Sequence, residues 1–165
     1  MRKWLLLLIL VSVAAGFWYL NTRPREIELT LYFGDENAEF LRPETRRVQI
    51  SPGESKLAVA VTELIKGPTE PGLTITIPEG TRLLGLEVKD NVAWVNFSRE
   101  IQTRHWGGSA GEMLTTFSVV NTLTEFPEVQ AVQFQVEGKV LDSIWGHGVT
   151  DEPIGRNPDL IAPGE

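Results

Sequence analysis

The chain has 165 residues, no cysteine, and 15 basic against 22 acidic side chains, a formal charge of −7. That length accommodates one domain whose core needs no staples. The missing cysteine excludes disulfides, thiolate metal sites, cysteine nucleophiles and lipid attachment through an N-terminal cysteine. The acidic balance excludes nucleic acid as a partner, and adsorption to anionic lipid through a basic face, since both need clustered Lys and Arg.

Arg2 and Lys3 precede an uncharged run from Trp4 to Leu20. As a helix that run spans roughly 25 Å, the short end for a bilayer core. A cleaved signal peptide would use Leu5 to Val11 as its apolar core and Ala14-Ala15-Gly16 as its cleavage site. A retained anchor is the better reading, because the run continues through Phe17-Trp18-Tyr19, a cluster suited to a membrane interface. Residues 1–20 are therefore expected to be a transmembrane anchor with the domain outside the cytoplasm, and 21–26 a linker.

Ile27 to Phe33 alternates apolar and polar side chains and predicts a half-buried strand. Residues 34–42 predict a loop and Arg46 to Ile50 a second strand. Ser51-Pro52-Gly53-Glu54 reads as a helix start with a capping serine. Leu57, Val61, Leu64 and Ile65 follow at helical spacing, and Gly67-Pro68 ends the helix. Leu73, Ile75 and Ile77 alternate in a Pro/Gly-rich stretch and predict a short edge segment.

Leu83 to Phe97 predicts a hairpin turning at Asp90-Asn91, with Val88 opposite Ala93, Leu86 opposite Val95 and Leu84 opposite Phe97. Trp94 then lies on the other face, across from Glu87. Ser109 and Glu112 form a second capping box for a helix to about Phe126, with Met113, Phe117, Val120 and Leu123 as its buried stripe. Val132 to Val136 predicts another strand, with Lys139 to Trp145 pairing back. The tail from Gly146 reads as irregular. These elements predict an α+β fold, a mainly antiparallel sheet with two helices on one face.

Several landmarks occur in order: Tyr32-Phe33, Gly67-Pro68, Ile77-Pro78-Glu79-Gly80-Thr81, Val95-Asn96-Phe97-Ser98, Ser109-Ala110-Gly111-Glu112, and Asn121 to Pro127. Val129, Val132-Gln133 and Val136-Glu137-Gly138 complete the set. Together they resemble the GerMN domain, named for sporulation and spore germination proteins, over residues 27–141, with 142–165 as a C-terminal extension. The resemblance implies a non-catalytic domain outside the cytoplasm, similar to the ring-building folds of secretion systems. It implies as partners other envelope proteins or further copies of the chain, since one sporulation member supports a trans-envelope channel complex. This chain differs in having one copy of the domain where that member has two, and no lipid-attachment cysteine.

The residues available for chemistry are few. His105 and His147 have no partner at metal-ligand spacing, so no metal or cofactor is expected. Gly107 to Gly111 satisfies the bare G-x-S-x-G pattern, but Ser109 is better explained as a helix cap than as a nucleophile. Asp35-Glu36, Asp142 and Asp151-Glu152 read as solvated loop charges rather than a glycosidase pair. Asn96-Phe97-Ser98 fits a glycosylation sequon, incidental on a strand. Trp94, Trp106 and Trp145 are the candidate interaction surface. They either anchor a protein or cell-wall glycan partner or are buried by a helix or the tail. The expectation is an interaction module rather than an enzyme, with a glycan-binding module as the alternative.

Overall fold

The computed structural model describes residues 22–163 and, before them, Trp4, Leu10, Ser12, Gly16, Trp18 and Tyr19. The expected anchor, residues 4–20, lies for the most part outside the described residues. Among those described, no helix is long and apolar enough to cross a membrane.

The domain is α+β and uses two sheets. The first has the order β2-β1-β3, with β1 at Arg25–Asp35, β2 at Leu41–Ile50 and β3 at Leu73–Thr74. The second has the order β4-β5-β6-β7, with β4 at Leu83–Lys89, β5 at Val92–Phe97, β6 at Ala131–Val136 and β7 at Ile154–Gly155. Helix α1 (Lys56–Lys66), a short α2 (Glu100–Thr103) and α3 (Ser109–Leu123) complete the fold, with a 3-10 turn at Pro158–Leu160. Leu29, Leu31 and Phe33 of β1 share one core with Val61 and Leu64 of α1. Val95, Phe97, Phe134, Val120 and Leu123 close it from the other side.

Strand pairing is antiparallel except between β5 and β6. A parallel pair needs a long crossover, which α2 and α3 supply. Strand β2 begins at Leu41, earlier than the expected Arg46, and includes Pro43. Proline is tolerated there because β2 is an edge strand, met on its outer side by a single bridge from Ile161 to Leu41 and by no strand.

The first helix starts later than its sequence signal. Gly53 sits at φ +81°, and the Glu54 N–H donates to the Ser51 carbonyl at 3.1 Å, so Ser51 to Glu54 closes a turn. The Glu54 carboxylate does reach back to the Ser51 N–H at 3.0 Å. The cap itself is Ser55, whose hydroxyl accepts from the Ala58 N–H. A left-handed glycine cannot sit inside a right-handed helix, so the proline-led reading fails at Gly53.

The 83–97 hairpin turns at Asp90 and Asn91, both at positive φ as a primed turn requires. Val88 faces Ala93 and Leu86 faces Val95, as expected. A bulge between Leu83 and Gly85 then puts Leu83, not Leu84, opposite Phe97 and leaves Leu84 45% exposed.

Helix α3 buries a different face from the expected one. Val120 and Leu123 are buried and Phe117 is half-buried, but Met113 is 41% exposed. Leu114, Thr115, Ser118, Val119 and Thr122 lie inside instead. The small hydroxyls have a specific use. Strand β3 pairs with β1 only at Gly34 and Asp35, which leaves the Tyr32 backbone without a strand on that side. The Ser118 hydroxyl donates to the Tyr32 carbonyl at 2.6 Å, and the Tyr32 N–H donates to Thr122 Oγ1 at 3.1 Å. Thr115 donates to the Thr76 carbonyl at 2.6 Å. The helix thus replaces a missing strand.

The expected return strand at Lys139–Trp145 is reduced to one bridge between Val136 and Lys139. Glu137 and Gly138, at φ +51° and +78°, turn the chain, and Ile144 then enters the core. The tail continues around the domain. Ile154 pairs with Val132, and Leu160 packs with Tyr32, Leu41 and Leu114.

Candidate functional site

The loop between α2 and α3 brings two of the three flagged tryptophans together. His105 lies against Trp106, centroids 4.8 Å apart and nearly parallel, and against Trp145 at 5.0 Å. Trp145 is half-buried and its indole N–H donates to the Ile101 carbonyl at 2.8 Å, so it is a packed member of the fold. Trp106 is 50% exposed. Its ring lies against the first turns of α3 where Gly111 has no side chain, since a Cβ there would meet Trp106 Nε1 at 2.6 Å. Gly111 therefore permits the approach, and His105 supports the indole from one side. Trp94 is not part of this cluster; it lies half-buried on the outer face of β5.

His105 is held in one tautomer. The Gly107 N–H donates to Nδ1 at 3.0 Å, so a neutral ring carries its proton on Nε2 and donates to Thr115 Oγ1 at 3.0 Å. Thr115 passes the chain on to the Thr76 carbonyl. Burial pushes the imidazole below its ordinary value, with the Glu112 charge and a backbone hydrogen bond opposing. The two ring hydrogen bonds fit neutral His105, packed as a support for the stack.

Glu112 is buried, although it sits in the first turns of an exposed helix end. The expected capping box does not form: α3 begins at Ser109 behind Gly108, with no side-chain cap. Gly107 and Gly108 at positive φ bring the chain in at an angle that starts the helix one residue early. The Glu112 carboxylate turns instead to the tail, accepting from the His147 ring at 2.7 Å and from the backbone N–H groups of His147 and Gly148 at 3.1 and 3.2 Å. Burial works against its charge, but these three donors outweigh it and hold the carboxyl below the usual range. Nothing in sequence spacing flags a clasp between residues 35 apart; Gly146 and Gly148 around His147 are the only local trace.

This clasp fixes the tail loop beside α3 and leaves a cavity of about 330 Å³ between them. Met113, Phe117, Val149 and Ile154 make its walls predominantly apolar. Val149 is 70% exposed. Trp106, Met113 and Val149 thus place exposed apolar surface around the first turns of one helix.

Asp35 and Ser109, also flagged by the sequence, have structural uses. The Asp35 carboxylate accepts from Glu39 and Phe40 to close the turn after β1. Ser109, at the middle of the G-x-S-x-G match, is exposed and opens α3, while both His105 nitrogens are engaged elsewhere. Among the described residues, no group of three or more His, Asp or Glu side chains is placed to hold a metal.

Residues 30–142 match the family described as "Germane: Sporulation and spore germination". The spore germination protein GerM of Bacillus subtilis is 33% identical over 139 residues, covering 78% of this chain and 36% of that protein. The chain therefore spans little more than a third of that relative's length. The solved tandem GerMN domains of the sporulation protein GerM from Bacillus subtilis superpose with a TM-score of 0.60 at 28% identity, over 86% of this chain and 48% of that one. The first GerMN domain alone gives 0.61 at 22% identity, over 81% and 98%, a likeness of fold.

Proposed function

Because the chain belongs to the Germane family of sporulation and spore germination domains, we propose that it is a non-catalytic module that docks an envelope protein, or a second copy of itself, through the surface around the first turns of α3. The observation that carries this reading is Trp106. Its indole is half exposed, supported by His105 and admitted by Gly111, at the same end of α3 as the apolar cavity lined by Met113 and Val149. A rigid, exposed aromatic held in one orientation is the usual form of an interface anchor.

The tether is residues 4–20, behind Arg2 and Lys3, with the domain outside the cytoplasm of a bacterial cell. The uncharged run and its aromatic end support this. A role in sporulation or germination is supported by the likeness to GerM. A catalytic role has no support from Ser109 or His105, whose surroundings serve the fold.

Photo-crosslinking tests the reading. A crosslinkable residue at Met113 or Val149 of the full-length tagged chain, in native host membranes, is expected to capture one defined partner or the chain itself. Trp106→Ala should reduce that capture. Adducts no different from those at Glu128, beyond the other end of α3, would sink it. Alkaline extraction tests the tether: the full chain should stay with the membrane pellet, and a chain lacking residues 4–20 should not.

A further inference from the structure

The outer face of the second sheet carries another cavity, of about 340 Å³, lined by Gly85, Leu86, Glu87, Trp94, Asn96 and Gln135. The strand register explains it. Glu87 lies opposite Trp94, Gly85 opposite Asn96, and Asn96 alongside Gln135. Alternation turns Ala93, Val95 and Phe97 into the core, so Trp94 and Asn96 face outward. At Gly85 nothing lies within 4 Å of where a Cβ would stand, so the floor beside the indole stays open.

The polar groups here are placed but not used up. The Asn96 side-chain oxygen accepts from the Gly138 N–H at 2.8 Å, which holds the carboxamide with its amide N–H groups left to donate. Glu87 pairs with Lys89 at 2.6 Å, so the rim carries little net charge. Among the described residues, the Gln135 carboxamide and the Trp94 indole N–H have no hydrogen-bond partner.

We propose that this face binds a neutral saccharide, one sugar ring lying on the Trp94 indole and its hydroxyl or acetamido groups meeting the Asn96 and Gln135 carboxamides. The ring face of an indole is negative and suits the weakly positive C–H side of a sugar. Carboxamides offer donor and acceptor together, which matches hydroxyl and acetamido groups. A purely apolar ligand would strip water from those amides and return no hydrogen bonds. An acidic glycan meets a chain of net charge −7, and the one lysine at the rim is already paired. The cavity is at the small end for a ligand site and suits a contact of one or two rings. This site is distinct from the Trp106 surface and does not depend on it.

The test titrates the full-length chain in detergent with three tetrasaccharides: N-acetylglucosamine, glucose and galacturonic acid, each β-linked or in its natural linkage. The indole N–H resonance of Trp94, assigned by its loss in Trp94→Phe, is the readout, and titration calorimetry reads the variants at Trp94 that lack it. Either neutral oligomer should shift it saturably, and which one does so decides whether acetamido groups are read. Trp94→Ala should weaken binding about tenfold or more, and Gln135→Ala about threefold, with Trp106→Ala unchanged. Gln135→Ala removes a partly exposed side chain, so it keeps the test alive if Trp94→Ala fails to fold. The proposal is overturned if neither neutral oligomer shifts the resonance at millimolar concentration, or if the galacturonic oligomer binds as well. It is equally overturned if Gln135→Ala and Trp94→Ala bind like the parent, or if the resonance answers only to a protein partner.

Discussion

Glu44 shows how much one carboxylate can organise when it is buried with enough donors. It accepts from the Arg46 guanidinium, from the Thr69 N–H at 2.7 Å and hydroxyl at 2.8 Å, and from the Glu70 N–H at 3.0 Å. Arg46 spans onward to Glu63 at 2.9 Å and to the Gly67 carbonyl at 3.0 Å, tying β2 to the end of α1. Burial opposes the charge on Glu44, but the two backbone donors and Arg46 prevail and lower its pKa. Removing Glu44 leaves Arg46 to Glu63 and takes the acceptor from the Thr69 and Glu70 N–H groups, so Glu44→Ala should cost about 1.5–3 kcal/mol in urea unfolding. A lowered folded pKa means that the unfolded chain binds more protons. Stability from Glu44 and Glu63 is therefore complete above the ordinary carboxylate range and falls as pH drops through the folded values. His105, also lowered, acts higher: its contribution is complete above about pH 6.5 and is lost as pH falls from there toward the folded value. Melting temperature against pH should show two successive losses on acidification, and His105→Gln should remove the upper one.

At the scale of elements, the use of α3 as a substitute strand makes the sharpest prediction. Ser118→Ala or Thr122→Val each leaves a Tyr32 backbone group buried without its partner, at about 1–3 kcal/mol in chemical denaturation. A helix that only buried apolar surface would tolerate both. The hairpin bulge gives a paired contrast. Leu84→Ser should change stability by less than about 0.5 kcal/mol, because the bulge leaves that side chain in solvent. Phe97→Ala should cost about 3–5 kcal/mol, because that ring is fully buried against Phe134. Equal costs at the two positions would mean that the bulge is absent. Both long helices begin with a cap-like sequence that the structure uses otherwise, for reasons visible at Gly53 and at Gly107-Gly108.

Over the whole molecule, the tail decides where the domain ends. Arg156 lies 31 positions beyond Glu125, which it meets at 2.6 Å, and it also donates to the Tyr32 hydroxyl at 2.8 Å and the Asn121 carbonyl at 2.9 Å. Asn121 in turn pairs with the Asn157 backbone in both directions, at 3.0 Å each. With Ile144 and Leu160 buried, truncation after Leu141 should abolish a cooperative calorimetric transition, although residues 30–142 carry the family match. Arg156→Ala should lower stability by about 1.5–3 kcal/mol, the range for hydrogen bonds to charged groups.

The periodicity of the sequence alone determined β1, α1, the 83–97 turn, β6 and the α+β class, because alternation and helical spacing are local and each repeats over several residues. It also placed Trp94 on the face away from the core. The family was legible for the same reason: its landmarks are turn and core residues in fixed order. What only the tertiary structure decided are contacts between distant parts of the chain. Ser118 and Thr122 look like poor helix residues until the unpaired stretch of β1 is laid beside them. Glu112 looks like a cap until His147 folds back onto it. Trp106 and Trp145 become one cluster only because Ile144 buries and carries its neighbour to His105. Hydrogen bonds and stacking between remote residues leave no periodic trace, and a side chain's partner is set by whichever surface packing brings within reach.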